Sequence, residues 1–382
     1  MTTHRMISAA SGVIEPPDLW SKRLPAKFAD ICPRLAETDE GVVWTAANKL
    51  AETPPYLAAF ADAHGRSRKL SLESAAWLAG AEGRRWLQDR DELVGEVLYS
   101  TGAVWDLINA TENSEFIVAC YRAYNDWLAE FCAQDSQRFI GVAKVPTTGA
   151  EDATAELVRA VEELGLASAM LDAWPGGPDC PPAMKECDSF WAAAASLGAP
   201  ISVYRPLDGG REPGPSIAGG VHPEFYNDLV TITYANIFDR YPGLRLVAVS
   251  PSCGWAPPVY ETLSETYMRM SAVRKMSLGD PDLHPSDYLR RFVWYVTQED
   301  RTGLLNRAYM GEAHLLWGSF AFMDSNSSWP NTRQLFERVT AGFPEPFRGK
   351  LAEENCARLY GLGNAPRFTP EEVKAYDSYA LL

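Results

Sequence analysis

The rhythm of apolar and polar positions changes along the chain. Beyond about residue 95, short apolar runs alternate with longer segments whose apolar residues recur every three or four positions. The short runs read as buried strands and the periodic segments as helices. EVLYST (96–101) is a strand, and TENSEFIVACYRAYNDWLAEFCAQD a long helix. RFIGVAKVP (138–146) is a strand ending at Pro, followed by the amphipathic AEDATAELVRAVEELGL and the strand ASAMLDAW (167–174). DSFWAAAASLG is a helix stopped by Gly198, and PISVYRP (200–206) a strand. VTITYANIFDRYPG predicts a helix. LRLVAVSP (244–251), RFVWYVTQED (291–300) and HLLWGSFAF (314–322) predict the remaining strands, and EENCARLYGL a late helix.

Before residue 95 the pattern is less regular. ISAASGVIEPPDLW opens with a strand and runs into a Pro-rich connection. RLAETDEGVVWTA predicts a small hairpin turning at Asp39, Glu40 and Gly41. Residues from about 50 to 93 read as helical and irregular. Eight strands are therefore expected, near 5–10, 96–100, 139–145, 168–172, 201–204, 245–250, 293–297 and 315–319. Strands alternating with helices point to an α/β fold, a (β/α)8 TIM barrel. Residues 1–382 are expected to form one domain, with a hairpin and helical insertion at 21–93. Chemistry in such a barrel sits at the C-terminal ends of the strands.

Composition narrows the partners. A net charge of −15 argues against nucleic acid and against an anionic membrane surface. No apolar run approaches the ~18 residues of a membrane span. MTTHRMISAASGV lacks the apolar stretch of a signal peptide, and the seven scattered cysteines form no CxxC pair. A cytoplasmic protein with reduced thiols is the expectation. No dinucleotide or phosphate-binding glycine loop, HExxH or GxSxG is present, so no cofactor is expected.

Several blocks carry a resemblance. ISAASGVIEPPDLW, AYNDWLAEFCAQDSQRFIGVAKVP, IFDRYPGLRLVAVSPSCGWAP, HLLWGSFAFMDS and EENCARLYGL occur in the order of the amidohydrolase-related family. That family contains aminocarboxymuconate-semialdehyde decarboxylase and related decarboxylases and hydratases. The resemblance implies a metal-binding Asp-x-His pair on strand one, a His on strand five, and an Asp and a His after the Gly-Ser of strand eight. This chain has Ala10 and Gly12, Tyr204, and Phe320 with Phe322 and Met323 nearby. A zinc-type site needs about three or four such groups around one point. His314 and His284 precede their strands, His4 is terminal and His64 lies in the insertion, leaving His222 near the mouth. No bound metal is expected.

What remains is an acid, a base and a shaped cavity. Asp172 ends the fourth barrel strand, as a base or a helix cap; Tyr204 is an acid, an oxyanion donor or a cavity filler. His222 and Asp324 complete the candidate catalytic set. Trp174, Arg205, Trp255, Phe320 and Phe322 are candidate substrate contacts, although the aromatic cluster equally suits a plugged mouth and Arg205 a salt bridge. Cys253 in SPSCGW reads as structural, and the loop acids Glu299 and Asp300 as solvated residues beyond a strand end. The leading expectation is a metal-independent lyase, isomerase or cyclase acting on a small hydrophobic conjugated or aromatic molecule in specialised metabolism, working as a homo-oligomer. Two alternatives stand beside it. One is a non-catalytic ligand- or partner-binding member. The other is a metal-dependent decarboxylase or hydrolase with a site rebuilt on carboxylates such as Asp172 and Asp324.

Overall fold

The computed structural model describes residues 4–38, 41–50, 72–100, 102–177, 179–204, 223–250, 252–274, 278–323 and 327–362. Strand β1 (Ile7–Gly12) opens the chain. An antiparallel sheet follows, made of β2 (Arg34–Thr38), β3 (Gly41–Ala46) and β4 (Lys49–Leu50). The expected hairpin is thus present, with Thr38 paired to Gly41 and β4 added; its turn residues Asp39 and Glu40 lie outside the described residues. Then come β5 (Gly95–Tyr99), β6 (Phe139–Lys144), β7 (Ser168–Leu171), β8 (Ile201–Val203), β9 (Leu246–Ala248), β10 (Val293–Thr297) and β11 (Leu315–Trp317).

These seven strands and β1 form one sheet, ordered β1-β5-β6-β7-β8-β9-β10-β11, with every pairing parallel. It closes on itself just beyond β11. Gly12 N donates to Ala321 O at 2.7 Å and Phe320 N donates to Ala10 O at 2.8 Å. The result is a (β/α)8 barrel. Its strands are buried on both faces, as near-continuous apolar runs require when helices cover a parallel sheet.

One contact fixes which side chains point inward. Tyr99 Oη of β5 lies 3.0 Å from Ser202 Oγ of β8, three places away in the sheet, so both cross the interior. The register pairs Ser202 with Met170 and Met170 with Lys144, so these share the inner face. Residues one step out of phase, such as Phe139 and Gly141, meet the outer helix instead. Phe139 stacks on Phe131, and a side chain at 141 would run into Leu128 and Cys132.

The outer helices end where the sequence says. Helix Ser114–Ala133 starts at Asn113, whose side chain accepts from Phe116 N, and buries Phe116, Cys120, Tyr121, Tyr124, Leu128 and Phe131 on one face. Helix Asp188–Leu197 stops at Gly198, in the left-handed conformation with φ 59°. One expected helix is broken. VTITYANIFDRYPG splits into Pro223–Tyr234 and Ile237–Arg240, with Asn236 at φ 55° between them. Asn tolerates that conformation better than most residues, which periodicity alone does not register. Among the described residues no helix is long and apolar enough to cross a membrane.

Candidate active site

The inner face carries one lysine at the mouth. Lys144 is the last residue of β6, and Asp172 follows the last residue of β7. Their side chains form an ion pair, Lys144 Nζ to Asp172 Oδ2. The lysine is only 3% exposed and the aspartate 18%. Aromatic rings wall the ammonium. Its nitrogen lies 4.6 Å from the centre of the Trp105 ring and 5.8 Å from that of Tyr121. A cation over a ring face is attracted by the ring quadrupole, most strongly where water is excluded.

The backbone of Lys144 is clamped. Lys144 N donates to Asn125 Oδ1 at 2.9 Å, and Asn125 Nδ2 donates to Lys144 O at 2.8 Å and to Glu156 Oε1 at 2.7 Å. Glu156 is held in turn by Arg159, at 2.6 and 2.9 Å. The chain of contacts thus runs from the largely buried Arg159 to the lysine.

Tyrosines complete the cluster. Tyr121 Oη donates to Asn109 Oδ1 at 3.2 Å and lies 3.5 Å from Asp172 Oδ2. Burial, then the charge of Asp172, raises the Tyr121 phenol well above its ordinary range. Burial, then the charge of Glu15, does the same for Tyr124. Glu15 is itself fully buried. Both phenols therefore remain neutral donors at physiological pH. The site offers a held cation, carboxylates, neutral hydroxyls and flat aromatic walls.

The sequence-derived residues fall in different places. Asp172 is in the site, but it neither caps a helix nor stands as an unpaired base, because Lys144 holds it. Leu171 is in register with Val203, which carries Tyr204 to the level of Asp172 on the neighbouring strand, where it is half-buried. Trp174 is 4% exposed in the loop after β7. Phe320 and Phe322, expected as substrate contacts, are 0% and 1% exposed, and Phe322 packs 5.4 Å from Trp329. Trp255 was expected as a substrate contact too. It packs on Tyr226 and on Tyr295, whose hydroxyl accepts from Tyr260 in the outer helix layer, so it sits behind β10. His222, Arg205 and Asp324 lie outside the described residues, as does His64. The remaining histidines serve structure. His284 caps helix Pro285–Phe292, His4 pairs with Glu345, and His314 is buried against Trp294.

The other loop candidates are structural as well. Asp300 Oδ2 accepts from Cys253 N at 2.7 Å and Gly254 N at 2.5 Å, while its Oδ1 accepts from Gly303 N at 2.9 Å. It ties the loop after β9 to the loop after β10. Glu299 pairs with Arg338 at the surface. Cys253 is fully buried, and burial raises its thiol far above the nucleophilic range. The sequence reading missed Lys144, Glu15, Trp105, Tyr121 and Asn125. A charged residue closing the apolar run RFIGVAK was the available signal.

Comparison with known proteins places this barrel. The amidohydrolase family model matches residues 103–362, more than half of the chain. The chain belongs to the amidohydrolase family. A stretch of 145 residues is 32% identical to the decarboxylase orsB of Emericella nidulans, and covers 34% of this chain and 43% of that protein. A stretch of 155 residues is 28% identical to the gamma-resorcylate decarboxylase of Rhodococcus jostii, and covers 37% of this chain and 47% of that protein. The matches therefore span less than half of these curated relatives. The crystal structure of a dihydroxybenzoic acid decarboxylase from Polaromonas, with bound manganese and the inhibitor 2-nitroresorcinol, superposes with a TM-score of 0.61. It has 17% identity and covers 96% of this chain and all of that one.

The amidohydrolase resemblance implies a metal at the end of strand one, and the residues there do not fit one. Ala10 offers no ligand atom and is fully buried. A Cβ at Gly12 would stand 2.4 Å from Phe322 O and 2.6 Å from Phe322 C, so backbone occupies the space a ligand side chain needs. That backbone folds inward with Phe320 at φ 51° and Phe322 at φ 62°. Among the described residues, no group of three or more His, Cys, Asp or Glu is placed to hold a metal.

Proposed function

We propose that this amidohydrolase-family protein is a carbon–carbon lyase that removes carbon dioxide from a small aromatic carboxylic acid, with Lys144 and Asp172 at its catalytic centre. The observation that carries the reading is the buried Lys144–Asp172 pair, walled by Trp105 and Tyr121 at the C-terminal ends of adjacent barrel strands. The activities in the relatives' names favour decarboxylation over isomerisation or cyclisation. In the proposed reaction the substrate ring lies against the aromatic wall and its carboxylate faces the Lys144 ammonium. Lys144 gives a proton to the ring carbon that bears the carboxylate. The bond to the carboxylate then breaks, its electron pair restores the ring, and carbon dioxide leaves. Asp172 positions the ammonium and relays the replacing proton. Tyr204, level with Asp172, is the proposed donor to a substrate oxygen. No step runs through a metal.

The manganese in the Polaromonas structure favours a second reading, a metal-dependent decarboxylase with a site rebuilt on carboxylates such as Asp172 and Asp324. One experiment separates the two. Carbon dioxide release is measured over a panel of hydroxybenzoic acids, with wild type, chelator-treated wild type and Lys144→Met. Release that survives chelation and is lost in Lys144→Met supports the lysine mechanism. Release that chelation abolishes and manganese restores supports the metal. Binding without release points to a non-catalytic member.

A further inference from the structure

We propose that Cys180 and Cys187 form a reversible disulfide, making the loop between β7 and helix Asp188–Leu197 a site of oxidative modification. The sulfurs are already in contact. Cys180 Sγ and Cys187 Sγ are 3.7 Å apart, and Cys187 Sγ lies 3.8 Å from Cys180 O. Successive turns bring them together: Gly177 N donates to Trp174 O at 2.7 Å, Cys180 N to Gly177 O at 3.0 Å, Met184 N to Pro181 O at 3.0 Å and Cys187 N to Met184 O at 3.0 Å. The Cys180 sulfur is seated where a side chain at 176 would go, since a Cβ on Gly176 would stand 2.4 Å from it. A disulfide bond is about 2.05 Å long. The loop therefore has to close by less than 2 Å to make one.

Exposure orders the steps. Cys180 is half-buried and Cys187 fully buried. A low-molecular-weight disulfide such as glutathione disulfide reaches Cys180 first. The Cys180 thiolate attacks it, forms a mixed disulfide and expels one glutathione thiolate. The Cys187 thiolate then attacks Cys180 Sγ, forms the protein disulfide and expels the second. Two protein thiols are oxidised, and their two protons and two electrons leave on two glutathione thiols. Burial pushes the Cys187 thiol up to about 12, so the second step is the slower one. The product cross-links the segment that follows Asp172 and Trp174.

The loop supplies its own readout. Lys185 is exposed and lies between the two cysteines, so trypsin cuts inside the ring. The full chain is incubated with glutathione disulfide, remaining thiols are alkylated, and the tryptic peptides are weighed without reduction. The expected result is loss of two of the seven thiols and a cross-link joining the Cys180 and Cys187 peptides across the cut at Lys185. Cys187→Ser should accumulate glutathione on Cys180, and Cys180→Ser should leave Cys187 reduced. A wild type that retains glutathione on Cys180, cross-links other cysteines, or keeps every thiol would overturn the proposal.

Discussion

Lys144 and Asp172 are paired, yet water reaches them unequally: the lysine side chain is 3% exposed and its partner 18%. The pair is not symmetric in what each member loses without the other. An aspartate with partial access to solvent keeps some hydration. A lysine 3% exposed beside Trp105 and Tyr121 keeps far less.

Asp172→Asn is therefore expected to destabilise the protein more than Lys144→Met. Removing one partner of a buried pair costs about 3–5 kcal/mol. Asp172→Asn should fall in that range, and Lys144→Met below it. Urea unfolding of both variants at pH 7 checks this. Equal losses, or the reverse order, would show that the lysine is hydrated in solution.

The clamp on Lys144 predicts a second effect. Asn125→Leu leaves Lys144 N, Lys144 O and Glu156 without their buried partner, each lost contact costing roughly 1 kcal/mol or more. A loss of about 3 kcal/mol is expected, with a tenfold or greater fall in turnover because the lysine shifts. Asn125→Asp keeps the acceptor for Lys144 N but sets a second carboxylate against Glu156, so it should not restore stability. Recovery in Asn125→Asp would show that the donor contacts carry little.

Two buried groups oppose one another in pH dependence. Burial lowers His314 from 6.5 to about 4, and burial raises Asp91 from 3.8 to about 7 despite its bond from Thr332 N. Between pH 4 and 6.5 the unfolded chain binds a proton at His314 that the folded one refuses, so stability rises with pH there. Over the same window the folded chain keeps a proton at Asp91 that the unfolded one has lost, so stability falls with pH. The His314 shift is worth roughly 3 kcal/mol and the Asp91 shift roughly 4 kcal/mol. Asp91→Asn should thus gain stability relative to wild type as pH rises from 4 to 7, and His314→Leu should gain as pH falls from 6.5 to 4. Denaturation midpoints across that range test both signs.

The barrel was legible because it is written locally. Each strand is a short apolar run between turn residues, and all eight expected strands overlap those observed. The site was only partly legible. Asp172 and Tyr204 could be placed by counting to strand ends, since the period of two fixes the face. Lys144 sits one strand away from its partner, and no spacing rule links positions 144 and 172. Phe320 and Phe322 are buried on a left-handed backbone that counting along a strand does not foresee. Nothing in FAFM signals a positive φ at two phenylalanines.

That same turn makes the last prediction. A Cβ at position 12 meets Phe322 O at 2.4 Å, Phe322 C at 2.6 Å and Met323 N at 3.0 Å, all backbone atoms. They cannot rotate away as a flexible side chain would. They are also tied down, because Gly12 N donates to Ala321 O and Phe320 N donates to Ala10 O. Moving the segment breaks the contacts that close the barrel between β11 and β1. Gly12→Ala should therefore cost about 1–3 kcal/mol, as overpacking does. The larger Gly12→His, made together with Ala10→Asp to rebuild the strand-one pattern, should cost more and bind no zinc. Unfolding curves for both proteins, with metal content measured after zinc exposure and dialysis, decide the matter. A Gly12→Ala protein as stable as wild type, or a stoichiometric zinc in the double variant, would mean that the 320–323 segment swings clear and that the mouth can still open to a metal.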